Sequence, residues 1–150
     1  MAGNYDLALC SPKTRCRETM EAFGIKVYTE DEAFLPLKTD EMDKYKAKIT
    51  EIARKKKCSS FAACFKIPEA AKALRKQGEE LVDVLRRIAR ELPDGGKALV
   101  VSHGGRIEPA ALVGMDKFDL AAMGGEIAPC EGALFRFDGE KLVAVGILRI

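Results

Sequence analysis

Short apolar runs separated by turn residues recur along the chain and predict the strands of an α/β fold. Residues 5–10 and 98–101 are the clearest runs, and residues 25–28 form a weaker one. The run at 98–101 is rich in valine, with Pro-Asp-Gly-Gly before it and Gly-Gly shortly after it. This pattern is typical of a strand buried in a parallel sheet.

Three longer stretches have apolar residues at helical spacing and predict amphipathic helices over residues 13–23, 41–57 and 68–92. Gly24 suits the end of the first helix, and Pro68 suits the first turn of the third. A further short helix is predicted over residues 116–123. In the second helix the residues of the apolar face are Met42, Tyr45, Ile49, Ile52 and Ala53, opposite a face rich in lysine.

The end of the chain predicts a β-hairpin, with strands over residues 133–137 and 142–148 joined around Asp138-Gly139. The element order predicts an α/β three-layer sandwich: a mostly parallel central sheet, helices on both faces and a C-terminal hairpin. We expect residues 1–150 to form a single domain with a basic helical insert at about residues 38–67.

Composition narrows the classes of protein. Hydrophobic residues make up 47% of the 150 residues, which is typical of a globular domain. The net charge of +2 gives no reason to expect a nucleic-acid partner. The sequence contains neither an apolar stretch long enough to cross a bilayer nor a signal peptide, so we expect a cytoplasmic protein without a membrane partner.

The five cysteines, at positions 10, 16, 58, 64 and 130, form no Cys-x-x-Cys pair, and the chain has one histidine. This spacing argues against zinc, and we expect reduced thiols in a reducing compartment. No metal and no cofactor are predicted.

Candidate chemistry lies where two predicted strands end. His103 follows the strand at 98–101, and Arg15 lies in the helix that follows the strand at 5–10. Ligands bind at the carboxyl edge of parallel sheets. The paired N–H donors of the Arg15 guanidinium match the spacing of phosphate oxygens, and His103 can gain or lose a proton near neutral pH. A hydrogen-bonded turn histidine without a function is the alternative interpretation.

Two motifs resemble segments of one family. Ser11-Pro12-Lys13-Thr14-Arg15-Cys16-Arg17-Glu18-Thr19 is similar to the Ser-Pro-x-x-Arg-Ala-x-x-Thr segment of the histidine phosphatase superfamily, the phosphoglycerate-mutase-like proteins. The later Val100-Val101-Ser102-His103-Gly104-Gly105 is similar to that family's Val-x-Ser-His-Gly-Gly segment, and residues 131–139 resemble its closing hairpin. The resemblance implies phosphate binding by Arg15, Ser102, His103, Gly104 and Gly105, with Arg15 and His103 catalytic.

One departure from the family pattern changes the expected chemistry. The family opens with a strand ending in Arg-His-Gly, whose histidine is the nucleophile, and these 150 residues contain no such segment. In the family that strand lies in the middle of the sheet, beside the strand that ends at His103. The resemblance therefore implies either a sheet closed around the gap or a slot filled by something else. We expect a homodimer that covers the slot.

Two further features follow from the resemblance. The loop over residues 29–39 is where relatives place an acidic proton donor, and Glu32 is the candidate. The family's Leu-x-Glu-x-x-x-Gly signature is absent, so we favour an exposed loop carboxylate. Inserts at the position of residues 38–67 form flaps over the active-site mouth in relatives, and a basic flap attracts phosphorylated ligands. A solvated charged face is the alternative.

Three functions remain open. The first is hydrolysis of phosphomonoesters or phosphoryl transfer, acting on a small phosphorylated molecule or a phosphoprotein, if a nucleophile segment exists upstream. The second is binding of phosphate or a phosphoester without catalysis. The third is an interaction role through the basic helix, whose only interleaved aromatic residue is Tyr45.

Overall fold

The computed structural model describes residues 3–150, which contain both strands and helices. The helices are α1 (Thr14–Ala22), α2 (Lys46–Lys56), α3 (Ser60–Cys64), α4 (Pro68–Glu91) and α5 (Ile107–Val113). The strands are β1 (Leu7–Cys10), β2 (Thr29–Glu30), β3 (Ala98–Val101), β4 (Gly132–Asp138) and β5 (Lys141–Leu148). Short 3₁₀ turns cover Glu32–Phe34, Asp40–Tyr45 and Leu120–Met123.

Strands β2, β1 and β3 form a parallel sheet in that order. Cys10 lies opposite Val101 on one side and opposite Glu30 on the other, so all three strands end at one edge. Strands β4 and β5 form a separate antiparallel hairpin, with an irregularity between Arg136 and Phe137. The predicted parallel sheet and C-terminal hairpin are confirmed.

Side chains of β1 alternate between two apolar layers, as the pleat of a strand requires. Leu7 and Leu9 pack in a cluster with residues of α4 and α5, including Leu81 and Ala110. On the opposite face, Ala8 packs in the cluster formed by Cys10 and by Cys16 and Met20 of α1. Helices therefore cover both faces of the sheet, and the three-layer architecture is confirmed.

Helix α4 packs closely on α5 because α4 carries a glycine at the crossing. A Cβ atom built on Gly78 would lie 2.5 Å from the carbonyl oxygen of Pro109. The two backbones therefore approach more closely than any larger residue would allow. This contact fixes α5, whose N-terminal side carries the loop that contains His103.

The outer edge of β3 has no strand partner within residues 3–150. The carbonyls of Lys97 and Val101 face β1, where they accept hydrogen bonds from Asp6 N–H (2.7 Å) and Ser11 N–H (3.0 Å). Because successive residues of a strand direct their polar groups to opposite edges, Ala98 and Val100 direct theirs away from β1. The sheet thus keeps an open edge on the strand that leads to His103.

The chain departs from three of the predicted elements. The helix predicted over residues 116–123 is only a 3₁₀ turn at Leu120–Met123, because the Asp119 side chain caps it by accepting the N–H of Ala121 at 3.2 Å. The second strand lies at Thr29–Glu30 rather than at residues 25–28, because pairing begins only where the chain reaches Leu9 and Cys10 of β1. The predicted helix over residues 41–57 begins as a 3₁₀ turn and becomes α-helical at Lys46. Its apolar face nevertheless packs as predicted, with Met42 and Ile49 buried. No helix within residues 3–150 combines the length and apolarity needed to span a bilayer.

The Gly78 contact generates a stability prediction. Gly78→Ala should lower the free energy of unfolding by about 1–3 kcal/mol, because the added methyl group must push α4 and α5 apart. Denaturant unfolding followed by circular dichroism measures the change. The matched control is Gly146→Ala in β5, where nothing lies within 4 Å of an added Cβ atom. Equal stability of the Gly78→Ala and Gly146→Ala proteins would contradict the close crossing.

Candidate functional site

The candidate site lies at the carboxyl edge of the parallel sheet, as predicted. The pairing of Cys10 with Val101 places the residues after β1 next to those after β3. Ser11 and His103 are both buried, whereas Arg15, in the first turn of α1, is exposed. Two segments that are distant in sequence are thereby joined at one point on the surface.

Arg15 contacts His103 directly. Nε of Arg15 lies 3.1 Å from Nδ1 of His103, and Nη2 of Arg15 lies 2.7 Å from the same nitrogen. The two residues are 88 positions apart in the sequence. The structure thus brings together the arginine and the histidine that the motifs singled out.

The Arg15 contact fixes the tautomer of His103. A guanidinium has only hydrogen-bond donors, so Nδ1 must carry the lone pair and Nε2 the proton. Nε2 then donates to the hydroxyl oxygen of Ser11 at 2.8 Å. His103 is consequently a neutral imidazole whose acceptor nitrogen faces the arginine.

The proton-bearing side of the ring faces the protein interior. Sγ of Cys16 lies 3.7 Å from Nε2 of His103, and the Cys16 thiol donates to the carbonyl of Ser102 at 3.6 Å. Burial raises the pKa of the Cys16 thiol, which keeps it protonated at neutral pH. The uncharged side chains of Ser11 and Cys16 thus both contact the Nε2 side of the imidazole.

The surroundings of His103 disfavour its charged form. Burial lowers the pKa of His103 below its ordinary value of 6.5, and the positive charges of Arg15 and Lys13 lower it further. Neither cation can stabilise an imidazolium. At neutral pH the ring is therefore uncharged in this arrangement.

Ser102 directly follows β3, and its side chain contacts the first 3₁₀ turn, Glu32–Phe34. Its hydroxyl donates to the carbonyl oxygen of Phe34 at 2.8 Å, while Phe34 itself is fully buried. Ser102 was predicted to bind phosphate. In this structure its side chain connects the His103 loop to the segment that follows β2.

The glycines after His103 differ in their backbone contacts. Gly104 is exposed, whereas Gly105 has φ +84° and donates its N–H to Oε2 of Glu108 at 2.6 Å. The other carboxylate oxygen of Glu108 accepts the N–H of Ile127 at 3.1 Å. Glu108 is 1% exposed, so a buried carboxylate joins the His103 loop to the segment before the hairpin.

Sequence reasoning missed Glu108 and Arg106. A signal existed for Glu108, because it is the single charged residue inside the otherwise apolar α5 segment IEPAALV. Arg106 donates to the carbonyls of Gln77 (2.9 Å) and Ala33 (3.4 Å), and burial lowers its pKa. Arg106 thus connects the segment after β2 to α4, and nothing in its sequence neighbourhood indicated that role.

Glu32, the candidate proton donor, is exposed at the start of the first 3₁₀ turn. Its neighbour Asp31 caps this turn by accepting the N–H of Ala33 at 2.8 Å. The structure places Glu32 among exposed residues, and its role as a proton donor stays a prediction. No group of histidine, cysteine, aspartate or glutamate side chains in residues 3–150 has an arrangement that suits a metal ion.

The basic insert reaches the edge of the site through α3. A Cβ atom built on Gly105 would lie 4.0 Å from the ring of Phe61, and the hydroxyl of Ser59 donates to Glu126 at 2.8 Å. Phe61 also packs on Phe65 in an edge-to-face arrangement. The apolar side of the insert therefore lies against the loops that flank His103.

The structure is an α/β sandwich in which an arginine and a histidine meet at the carboxyl ends of adjacent parallel strands. A family profile described as histidine phosphatase superfamily (branch 1) matches residues 2–147. The chain therefore belongs to the histidine phosphatase superfamily. Searches of curated proteins and of solved structures gave no match. Membership supports a function of the phosphoglycerate-mutase or phosphatase type.

The buried carboxylate of Glu108 generates a second prediction. Glu108→Gln should destabilise the fold by about 1–3 kcal/mol, because the amide nitrogen of glutamine cannot accept one of the two N–H groups. Thermal and denaturant unfolding measure the loss. Glu79→Gln, at an exposed position of α4, is the control and should change stability by less than about 0.5 kcal/mol. An unaltered Glu108→Gln protein would show that the carboxylate is dispensable.

Proposed function

We propose that this chain binds a phosphomonoester or inorganic phosphate at Arg15 and His103. The observation that carries the proposal is the contact of these two residues at the carboxyl edge of the sheet, 88 positions apart in sequence. A guanidinium supplies paired donors that match phosphate oxygens, and an imidazole supplies a titratable donor beside them. A small phosphorylated molecule or a phosphoprotein is the proposed ligand.

The neighbouring donors divide into free and engaged groups. Gly104 is exposed beside His103, and Lys13 is exposed at the start of α1. The Ser102 hydroxyl and the Gly105 N–H already donate to Phe34 and Glu108. We therefore propose that Arg15, His103 and Gly104 contact the ligand, while Ser102 and Gly105 hold the loop in position.

The positive charge of the basic insert also supports the binding of an anionic ligand. Its α2 helix carries exposed lysines, of which Lys55 pairs with Glu51 at 2.7 Å and Lys48 and Lys56 remain solvent-facing. The next helix of the insert, α3, places Phe61 against Gly105. We propose that residues 38–67 form a flap of the single domain, whose positive field attracts anionic ligands.

Hydrolysis of phosphomonoesters is the second candidate function. The superfamily's chemistry uses two histidines, and these 150 residues contain one. The open edge of β3 favours this candidate, because an added strand paired there would end beside His103. In that assembly His103 would stabilise transferring charge and Arg15 would hold the phosphoryl oxygens.

We also propose a homodimer. The outer face of the hairpin carries Leu134, Val143 and Leu148, which are 51%, 47% and 55% exposed. These exposed apolar residues and the unpaired edge of β3 are two features of the kind that symmetric dimers cover. Such a dimer would close the sheet edge next to the site.

A cytoplasmic location completes the proposal. All five cysteines are free thiols, and three of them, Cys10, Cys16 and Cys64, are buried. Free thiols in the core are expected where the compartment is reducing.

The binding proposal predicts ligand-dependent stability. Phosphate at about 100 times its Kd should stabilise the protein by about 2.7 kcal/mol, seen as a raised Tm. Arg15→Ala should remove the effect, because the paired donors are lost. The matched control is Arg17→Ala on the same helix, which removes a guanidinium that pairs with Glu30 instead.

Turnover separates the two candidate functions. Incubation with p-nitrophenyl phosphate should give no hydrolysis that depends on His103, since the second histidine is missing. Turnover that His103→Ala abolishes would favour the phosphatase candidate. Absence of phosphate stabilisation in the unmodified protein would refute the binding proposal.

The dimer proposal predicts the mass in solution. Light scattering after size exclusion should give twice the chain mass of 16.4 kDa. Leu134→Glu should shift the protein toward the monomer by placing a charge in the apolar surface. Val27→Glu is the control, because Val27 is 88% exposed at a distant loop. A monodisperse monomer at high concentration would overturn the proposal.

A further inference from the structure

The nitrogen of His103 that faces Arg15 is a hydrogen-bond acceptor. Nε and Nη2 of Arg15 both donate to Nδ1, while the proton of the ring lies on Nε2 and is held by Ser11. The function proposed above requires this same face of the ring to meet an anion. A lone pair directed at an anionic oxygen repels it.

Contact between His103 and an oxyanion therefore needs a change of protonation. Nδ1 becomes a donor in one of two ways: the ring takes up a second proton, or the Nε2 proton is exchanged for one on Nδ1 while the Ser11 hydroxyl turns to donate to Nε2. An anion favours uptake over the neutral tautomer, because uptake places a positive charge beside the ligand. In either case Nδ1 no longer accepts from Arg15. The two donors of Arg15 become available for oxygens of the ligand. After proton uptake Arg15 and His103, which are hydrogen-bonded to each other in this structure, would both be cationic and would both donate to one anion.

We infer that binding of a phosphate-type oxyanion at Arg15 and His103 is coupled to the uptake of one proton from solvent at Nδ1 of His103. The inference rests on the proposed function and adds the charge state in which the site holds its ligand. The ligand class is an oxyanion with at least two oxygens free, since it must meet both side chains.

Within the described residues, no group around the His103 ring offers a free negative charge to an imidazolium. The bound anion must therefore supply that charge. Arg15 and Lys13 of the α1 segment are cationic, and the Cys16 thiol and Ser11 hydroxyl are neutral. From α5, the carboxylate of Glu108 is engaged by the N–H groups of Gly105 and Ile127. Phe34 contributes only a backbone carbonyl, which Ser102 occupies.

The sign of the pH dependence follows from these charges. Without the anion the pKa of His103 lies below 6.5, because burial and two cations oppose the imidazolium. A bound anion opposes them and raises that pKa. Between the two pKa values binding takes up a proton, so affinity falls by up to tenfold for each pH unit of increase. Below both values His103 is charged in either state, and the dependence disappears.

Sulfate is the probe for the test, because its charge stays constant between about pH 5 and 8, where histidine titrates. His103 is the single histidine of the chain, so its imidazole resonances can be followed by NMR without assignment ambiguity. We expect its pKa to rise on saturation with sulfate. Sulfate affinity, measured by calorimetry, should fall with pH over the same interval.

Two variants make the interpretation specific. His103→Gln offers Arg15 an acceptor oxygen but cannot titrate, so its sulfate affinity should be weaker and independent of pH. Arg17→Ala, on the same helix, should retain the pH dependence of the unmodified protein. If His103→Gln binds sulfate with an affinity that does not change with pH, loss of structure cannot be the cause.

The outcomes separate this inference from the proposed function. Sulfate binding with an unmoved His103 pKa would overturn the proton coupling and leave the binding function intact, with the anion held by Arg15 alone or beside a ring that has changed only its tautomer. The same pH slope in His103→Gln would also overturn it. No binding of sulfate or phosphate at any pH would overturn both.

Discussion

The direct parallel pairing of β1 with β3 is the constraint on which the site depends. With Cys10 opposite Val101, the loops that leave these strands start side by side, and each carries one of the two side chains of the proposed anion site. The apolar layers on either face hold this register, because a slip by one residue would exchange Leu9 with Ala8 between the two cores. The chemistry at Arg15 and His103 is thus a consequence of sheet register.

A chain of hydrogen bonds then converts position into a defined chemical state. Arg15 determines which nitrogen of His103 holds the lone pair, and Ser11 accepts the remaining proton. Because the ring is buried, leaving either ring nitrogen without a hydrogen bond would be costly, and this cost favours the observed arrangement over others. The site is consequently ordered before any ligand reaches it, and its charge resides mainly on the exposed guanidinium.

Short-range patterns predicted the parts of the fold that have a strong local signal. The periodicity of α4, the valine run of β3 and the turn at Asp138-Gly139 each identified an element correctly. The motifs also singled out Arg15 and His103, which the structure brings into contact. Strand β2 was placed wrongly, because two residues pair only where tertiary structure brings them to β1.

The contacts that the sequence did not reveal share a physical reason. Gly78, Arg106 and Glu108 act across elements that are distant in the chain, and none belongs to a local motif. A glycine inside a helix and a glutamate in an apolar segment are unfavourable by propensity or burial alone. Each is explained only by its partner: the Pro109 backbone for Gly78, and two loop amides for Glu108.

The open edge of the sheet belongs to β3, and His103, which Arg15 contacts, lies in the loop that follows the same strand. A strand added beside β3 would direct its polar groups at those of Ala98 and Val100 and would end next to His103. Occupation of the edge and protonation of the imidazole are therefore expected to influence each other, because both change the charge and solvation around one buried ring.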